Sequence, residues 1–259
     1  MALGPEGVPQ RALVTGAARR IGRALALRLA REGFDIALHF RGSLAEAEAE
    51  ATAAAIRALG RRVALVPADL ERPEEVGTIV PRAVEALGPL GVLVNNASIF
   101  ELDRLATLSD ESWRRHLAVN LTAPTFLCRD FVRALPETAE GLIVNLLDER
   151  IFNPTPNYLS YTASRFGLWG VTQVLARELA PRIRVNAIGP GPTLPAAGTT
   201  EADFAALCAK MPLKRGSSPE ELADALAFIL RARSMTGQMI ILDGGQQLGW
   251  LTPHGALGE

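Results

Sequence analysis

Seven short apolar runs punctuate the chain: ALVT (12–15), FDIALHF (34–40), RVALVPA (62–68), GVLVN (91–95), GLIVNLL (141–147), IRVNAIG (183–189) and QMIILD (238–243). Each is apolar almost without alternation, the pattern of parallel strands covered on both faces. Between them, helical patterns run over 20–32, 44–59, 73–87, 110–135, 158–179 and 219–231. Strand and helix therefore alternate throughout, which predicts βαβ units and an α/β, doubly wound fold: a seven-stranded parallel sheet with helices on both faces and ligands at the carboxyl ends of the strands. With no internal repeat and no linker rich in Pro, Gly or Ser, one domain is expected over 1–259, with terminal segments at 1–9 and 250–259. Only 190–219 breaks the alternation, with PGP, LPAAGTT and one short helical piece, EADFAALCAK. Placed after a strand end, its central part, about 194–218, reads as a substrate lid.

Composition narrows the function classes. The 259 residues are 48% hydrophobic with a net charge of -1, so nothing general favours nucleic acid or an anionic membrane as partner. No uninterrupted apolar stretch is long enough to span a bilayer, and the start, MALGPEGVPQR, lacks the basic and apolar regions of a secretory signal. Cys128 and Cys208 form no CxxC pair and no disulfide framework, which suits a reducing cytoplasm, and no metal site is expected. Lys210 and Lys214 are the only lysines among the 27 basic residues, so any single arginine is weaker evidence of special purpose.

The stretch LVTGAARRIGRALA follows the first strand and opens the first helix, putting Gly16 in the turn and Gly22 at the helix start. Glycines there let the backbone approach a pyrophosphate whose charge unpaired helix N–H groups stabilise. A merely tight strand-to-helix connection would also use them.

On these residues the chain resembles the short-chain dehydrogenases/reductases, whose loop reads TGxxxGxG on a Rossmann-type domain. Thr15, Gly16 and Gly22 match, and Arg20, followed by Ile21, stands where the middle glycine would be. TGxxxRxG is the form found in pteridine reductases, where the arginine lies beside the cofactor phosphates and the pterin. The resemblance runs from this loop to Asp243-Gly244-Gly245.

Cofactor choice has its own physical argument. The second strand ends His39-Phe40-Arg41, offering no acid to a ribose 2′-OH, while Arg41 can pair with a 2′-phosphate, so NADPH is favoured over NADH. Asp69, before Leu70, matches the residue that meets the adenine; a capping role is the plain alternative. In NNASIF, Asn96 and Ala97 should line the cofactor, Ser98 replaces the usual glycine as in pteridine reductases, and Phe100 falls where those enzymes stack a ring on the pterin. Without the neighbouring matches Phe100 would read as core. Pro190, Gly191 and Thr193 in GPGPT match the segment near the nicotinamide carboxamide and phosphates.

The family's serine, the tyrosine thirteen residues later and the lysine of YxxxK fall on Asp148, Tyr161 and Arg165. Asn120 matches the asparagine that holds a relay water; a buried, backbone-binding asparagine is the alternative. An ionised Asp148 cannot donate to a developing alkoxide, which argues against an ordinary carbonyl reductase. It suits a pterin, which offers N–H groups and whose C=N reduction needs a protonated ring nitrogen, and pteridine reductases carry this substitution. Tyr161 is expected to supply the proton, its pKa drawn down by Arg165 and the nicotinamide and opposed by Asp148, with the pair titrating jointly. Arg165 keeps the lysine's charge but cannot release its proton.

The resemblance thus implies an NADPH-dependent reductase of a pterin or dihydropterin (dihydrobiopterin, dihydromonapterin or dihydrofolate type), with Arg20, Ser98, Phe100, Asp148 and Tyr161 at the substrate. A reductase of another carbonyl or imine, and a non-catalytic NADPH-binding sensor, are the alternatives. Family members are commonly tetramers, so a homotetramer is expected, with long helices near 110–135 and 158–179 packing across two-fold axes. Ala163, Gly167 and Gly170 would allow close approach there or within one chain. Tyr158 reads as packing or pocket wall, and the histidines match no motif.

Overall fold

The computed structural model describes residues 7–42, 45–196 and 198–249. The expected 250–259 segment, most of 1–9, and the Leu44 start of the second helical pattern lie outside them. Seven strands, β1 (Arg11–Val14), β2 (Asp35–Phe40), β3 (Val63–Pro67), β4 (Val92–Asn95), β5 (Gly141–Leu146), β6 (Ile183–Pro190) and β7 (Met239–Leu242), form one parallel sheet in the order β3-β2-β1-β4-β5-β6-β7. All seven apolar runs are strands. Every residue of β2 and β5 is buried, as continuous apolar runs require of a sheet covered on both faces.

Alternation along each strand divides the core in two. Ala12 and Val14 of β1 pack with Leu25 and Leu29 of helix α1 (Arg20–Arg31), Ile56 of α2 (Glu46–Ala58) and Leu226 of α8 (Pro219–Arg231). Leu13 between them faces the other layer, with Ile79 of α3 (Pro73–Leu87) and Leu127 and Phe131 of α5 (Ala123–Ala134). Each fully buried Val, Leu, Ile or Phe among them contributes roughly 1.5–3 kcal/mol from lost water contact. α8 is bounded by a capping box in which Ser218 and Glu221 satisfy each other's backbone N–H, with Pro219 at its first position.

Two helices depart from the expected pattern. The stretch 110–135 is not one helix: α4 (Asp110–Leu117) passes into a π-helical turn, Ala118–Thr122, before α5 begins. Apolar spacing continues through the turn and conceals it, yet Asn120 sits within it, the kind of place where such turns gather. α6 (Leu159–Glu178) starts one residue late, because Tyr158 takes a left-handed conformation with φ 63°. A further helix, α7 (Glu201–Ala209), is the short piece expected within 194–218.

Numerical order reverses where β1 lies beside β4, which opens a crevice at their carboxyl ends. The turn after β1, the NNASIF segment after β4 and the Asp148 turn after β5 all leave the sheet on that edge.

Candidate active site

The turn after β1 is locked to its neighbours by side chains bonded to backbone. Thr15 Oγ1 accepts from the N–H groups of Asn96 (2.9 Å) and Ala97 (3.0 Å), and Asn96 Nδ2 donates to the carbonyl of Thr15 (2.8 Å). Gly16 has φ +63°, and a Cβ on Gly22 would lie 2.1 Å from its carbonyl oxygen, so both glycines are required by the turn itself. His39 completes the clamp: its Nδ1 accepts from Gly16 N (3.1 Å) and its Nε2 donates to Ala68 O (3.1 Å). Full burial pushes its pKa from 6.5 down to about 4, so the ring is neutral and each nitrogen has a fixed role. Nothing in the sequence around His39 signals this; only the tertiary position reveals it.

On the other side of the crevice, Tyr161 Oη donates to Asp148 Oδ2 at 2.7 Å. One turn further along α6, the Arg165 guanidinium lies over the Tyr161 ring, 4.9 Å from its centroid. Arg165 Nη1 donates to Leu146 O (3.1 Å) and Nη2 to Ser98 Oγ (2.5 Å), while its buried Nε has no partner. The three positions matched by spacing therefore converge.

Two buried groups hold that end of α6; Asn120 is expected from the sequence and Asp103 is not. Asp103 accepts from Ser160 N (3.1 Å) and Ser160 Oγ (2.5 Å) through its carboxylate, and from Tyr158 N (2.8 Å) through its carbonyl, so it caps α6 from a distant loop. Asn120 grips Ile99 from both sides, accepting from its N–H (3.0 Å) and donating to its carbonyl (3.0 Å), and also donates to Ser164 Oγ (3.2 Å). These backbone bonds match the plainer of the two roles expected of Asn120. His116, buried, accepts from Glu101 N (3.3 Å) and steadies the same loop.

The electrostatics correct one expectation. The Tyr161 pKa is raised, not lowered: burial has the largest effect, Arg165 pulls it down, and Asp148 pushes it up by charge and by accepting its hydrogen bond. Burial is invisible in the sequence and here outweighs the guanidinium, so the phenol is neutral and proton-bearing at neutral pH. The buried Glu149 carboxyl is pushed up to about 8 by burial, then by Asp148, with Asp243 adding and Arg150 opposing.

Phe100 is half-exposed and not core. Its ring stacks on Tyr158 (centroids 4.2 Å apart, 14° between planes) and meets Tyr161 edge-on at 4.7 Å. Tyr158 thus packs against Phe100.

The remaining positions line the same edge. Arg20, with φ 54°, donates to Pro195 O (2.9 Å) and so ties the turn to the start of the 194–218 excursion. Arg41 lies exposed between Asp69 (3.3 Å) and Glu71 (3.3 Å). Asp69 Oδ1 also accepts from Glu71 N (3.0 Å), a local turn that caps no helix, since α3 begins at Pro73 after Arg72 with no side-chain cap, and Leu70 is buried. A Cβ on Gly191, just after Pro190, would lie 2.7 Å from Asp243 Cα, and Thr193 Oγ1 bonds Ser217 Oγ (2.7 Å). α1 starts with no side-chain cap and no acid in its first turn, leaving its N–H groups for an anion, whereas α3, α4 and α8 each carry acids there. Ile21 and Ala97 are half-buried beside this turn. Among the described residues no group of side chains could hold a metal ion, and no helix is long and apolar enough to cross a membrane.

A family model described as enoyl-(acyl carrier protein) reductase matches residues 16–247. The 3-oxoacyl-[acyl-carrier-protein] reductase FabG of Staphylococcus epidermidis is 32% identical over 242 residues, covering 92% of this chain and 98% of the relative. Among solved structures, FolM alternative dihydrofolate reductase 1 from Brucella canis, complexed with NADP, superposes with TM-score 0.90 at 44% identity over 96% of this chain and 98% of that one. Its counterpart from Brucella suis, also in complex with NADP, gives TM-score 0.89 at 46% identity over 94% and 97%. The chain belongs to the short-chain dehydrogenase/reductase family.

Proposed function

We propose that this protein is an NADPH-dependent reductase of a pterin or dihydropterin. The observation that carries the reading is the buried phenol–carboxylate pair, Tyr161 Oη to Asp148 Oδ2 at 2.7 Å, with Arg165 against the phenol ring. An ionised carboxylate in that place accepts hydrogen bonds and gives none, which suits a substrate rich in N–H groups better than an oxoacyl carbonyl. Likeness to the two FolM structures supports the same reading; the FabG relatives name the main competitor.

The residues present fit the dinucleotide. The uncapped start of α1, with Gly16, Arg20, Ile21 and Gly22, would receive the pyrophosphate. Arg41 would turn from its carboxylates to a 2′-phosphate, with Asp69 and Leu70 at the adenine. Asn96, Ala97, Ser98, Tyr161, Arg165, Pro190, Gly191 and Thr193 would flank the ribose and nicotinamide. Bound there, the reduced nicotinamide supplies a hydride to a ring carbon.

The chain's own residues manage the proton. Tyr161 holds it on Oη; a substrate ring nitrogen that comes within reach competes with Asp148 for it, and the proton passes to that nitrogen. Arg165, which cannot itself give up a proton, balances the tyrosinate left behind. Asn120 acts as a positioning residue through Ile99 and Ser164. The half-exposed Phe100 and the 194–218 lid, which Arg20 touches at Pro195, would close over the ring.

We also propose a cytoplasmic homotetramer. α5 and α6 expose Phe126, Phe166 and Val174. A Cβ on Gly170 would meet nothing within 4 Å, leaving it free for close approach by another chain, whereas one on Gly167 would meet Leu121 of its own chain at 2.8 Å.

The test is NADPH oxidation against a panel of dihydropterins, dihydrofolate, simple diketones and oxoacyl thioesters. Turnover of dihydropterins with little of the others is expected. Turnover confined to oxoacyl thioesters would overturn the reading in favour of the FabG-like activity, and tight NADPH binding with no turnover of any compound would favour a sensor.

A further inference from the structure

The Asp148 carboxylate has no acceptor capacity left. Oδ1 accepts from Arg150 N (2.9 Å) and Arg150 Nη1 (3.2 Å); Oδ2 accepts from Tyr161 Oη (2.7 Å) and from the same Nη1 (3.3 Å). Two carboxylate oxygens offer about four acceptor sites, and four contacts fill them. A substrate that donates to Asp148 must therefore remove one. The backbone amide is fixed by the turn Glu149–Ile151, and the phenol carries the proton for reduction. Only the Arg150 side chain can leave by rotation.

Its setting resembles that of a bound ligand. The planar guanidinium lies 5.2 Å from the Phe100 ring centroid and 5.3 Å from that of Tyr158. It reaches the carboxylate through one nitrogen, its side chain remains 19% exposed, and its buried Nε has no partner. Flat, cationic and rich in N–H groups, it presents Asp148 and the aromatic wall with the features of a 2-amino-pyrimidine edge.

We propose that Arg150 is an internal competitor for the substrate site and a determinant of its specificity: a planar N–C–N edge bearing N–H donors displaces the guanidinium from Asp148, and a substrate without such donors does not. The inference rests on the pterin reading for its substrate class. A molecule offering only a carbonyl acceptor would, on expelling Arg150, leave the buried carboxylate with the two acceptor sites that Nη1 had filled empty. An apparent affinity falls by the fraction of molecules in which the site is open, so a charge-assisted contact of this kind weakens binding by on the order of tenfold.

The test is calorimetric titration of the NADPH-loaded protein with 2,4-diaminopyrimidine, for the wild type, Arg150→Met and Arg150→Lys. Methionine keeps the length of the stem and removes the donors; lysine keeps the charge but not the planar fork. The expected dissociation constants fall in the order wild type, Arg150→Lys, Arg150→Met, spanning about tenfold. KM for the dihydropterin should fall in the same order, with kcat moving less than KM. Equal or weaker diaminopyrimidine binding in both variants would overturn the proposal, as would no measurable binding to any of the three proteins. If Arg150→Met does not fold, Arg150→Lys alone decides. Failure of the wild type to turn over any dihydropterin would defeat the pterin reading while the titration still decides the role of Arg150.

Discussion

Around the turn after β1, the polar side chains are bonded to backbone: Thr15 to Asn96 and Ala97, Asn96 to Thr15, His39 to Gly16 and Ala68. Around Asp148 the opposite holds. Charged and phenolic groups are buried against one another, and Glu149 Oε2, Arg150 Nε, Arg165 Nε and Gln246 Oε1 lie buried without partners. One region is a satisfied frame that holds a turn in place. In the other, burial of groups that want water or a ligand keeps protons where chemistry needs them, at a cost in stability. Substitutions in the two regions should therefore fail differently.

The largest effect is expected at Tyr161. Tyr161→Phe removes the proton donor and should lower kcat with a dihydropterin by about 10²–10⁴, the usual contribution of a positioned general acid. NADPH affinity, measured by fluorescence titration, should change little, because the frame around Gly16 is untouched. A comparable loss of NADPH affinity would erase the division between the regions.

His39→Leu is the converse. It leaves Gly16 N and Ala68 O without their partner, so it should destabilise the fold by about 2–3 kcal/mol in denaturant titrations and weaken NADPH binding. The sign with pH follows from a folded-state pKa below the unfolded one, 6.5 falling to about 4. As pH drops through that window the unfolded chain takes up a proton that the native ring refuses, and stability is lost, about 3 kcal/mol in all. The wild type should show this acid sensitivity and the leucine variant should lack it.

Opposite in the direction of its pH dependence is Glu149→Gln. The native carboxyl keeps its proton up to about 8 against an ordinary 4.5, so the native state binds a proton that the unfolded chain has released. Stability then falls as pH rises from 4.5 to 8 and levels off beyond. The glutamine variant should match the wild type near pH 4 and exceed it by up to about 5 kcal/mol at pH 9, read from melting temperatures across pH. Parallel curves would mean that Glu149 is ionised in the fold.

Much of the fold was legible because a sheet buried on both faces writes itself as continuous apolar runs, and all seven runs became strands. The π-helical turn at Ala118–Thr122 was not, since one extra residue in a helix barely disturbs apolar spacing. In the site, Asp148, Tyr161 and Arg165 were findable because they fall on the spacing of the motif in the family the chain resembles, with Tyr161 and Arg165 also one helical turn apart. His39, Asp103 and Arg150 were not: each acts through a partner supplied by folding, and each by itself reads as an ordinary strand, loop or surface residue. The direction of the Tyr161 pKa was missed for the same reason, burial being a property of the packed chain.

The central claim is that Asp148 and Tyr161 act as one proton-holding pair, and the pH dependence of kcat in Asp148→Asn against the wild type tests it most directly. The carboxylate raises the phenol's pKa, so replacing it with a neutral amide should move the alkaline fall in rate toward lower pH. An alkaline limb at the same pH in both proteins, or one displaced upward in the variant, would contradict the account.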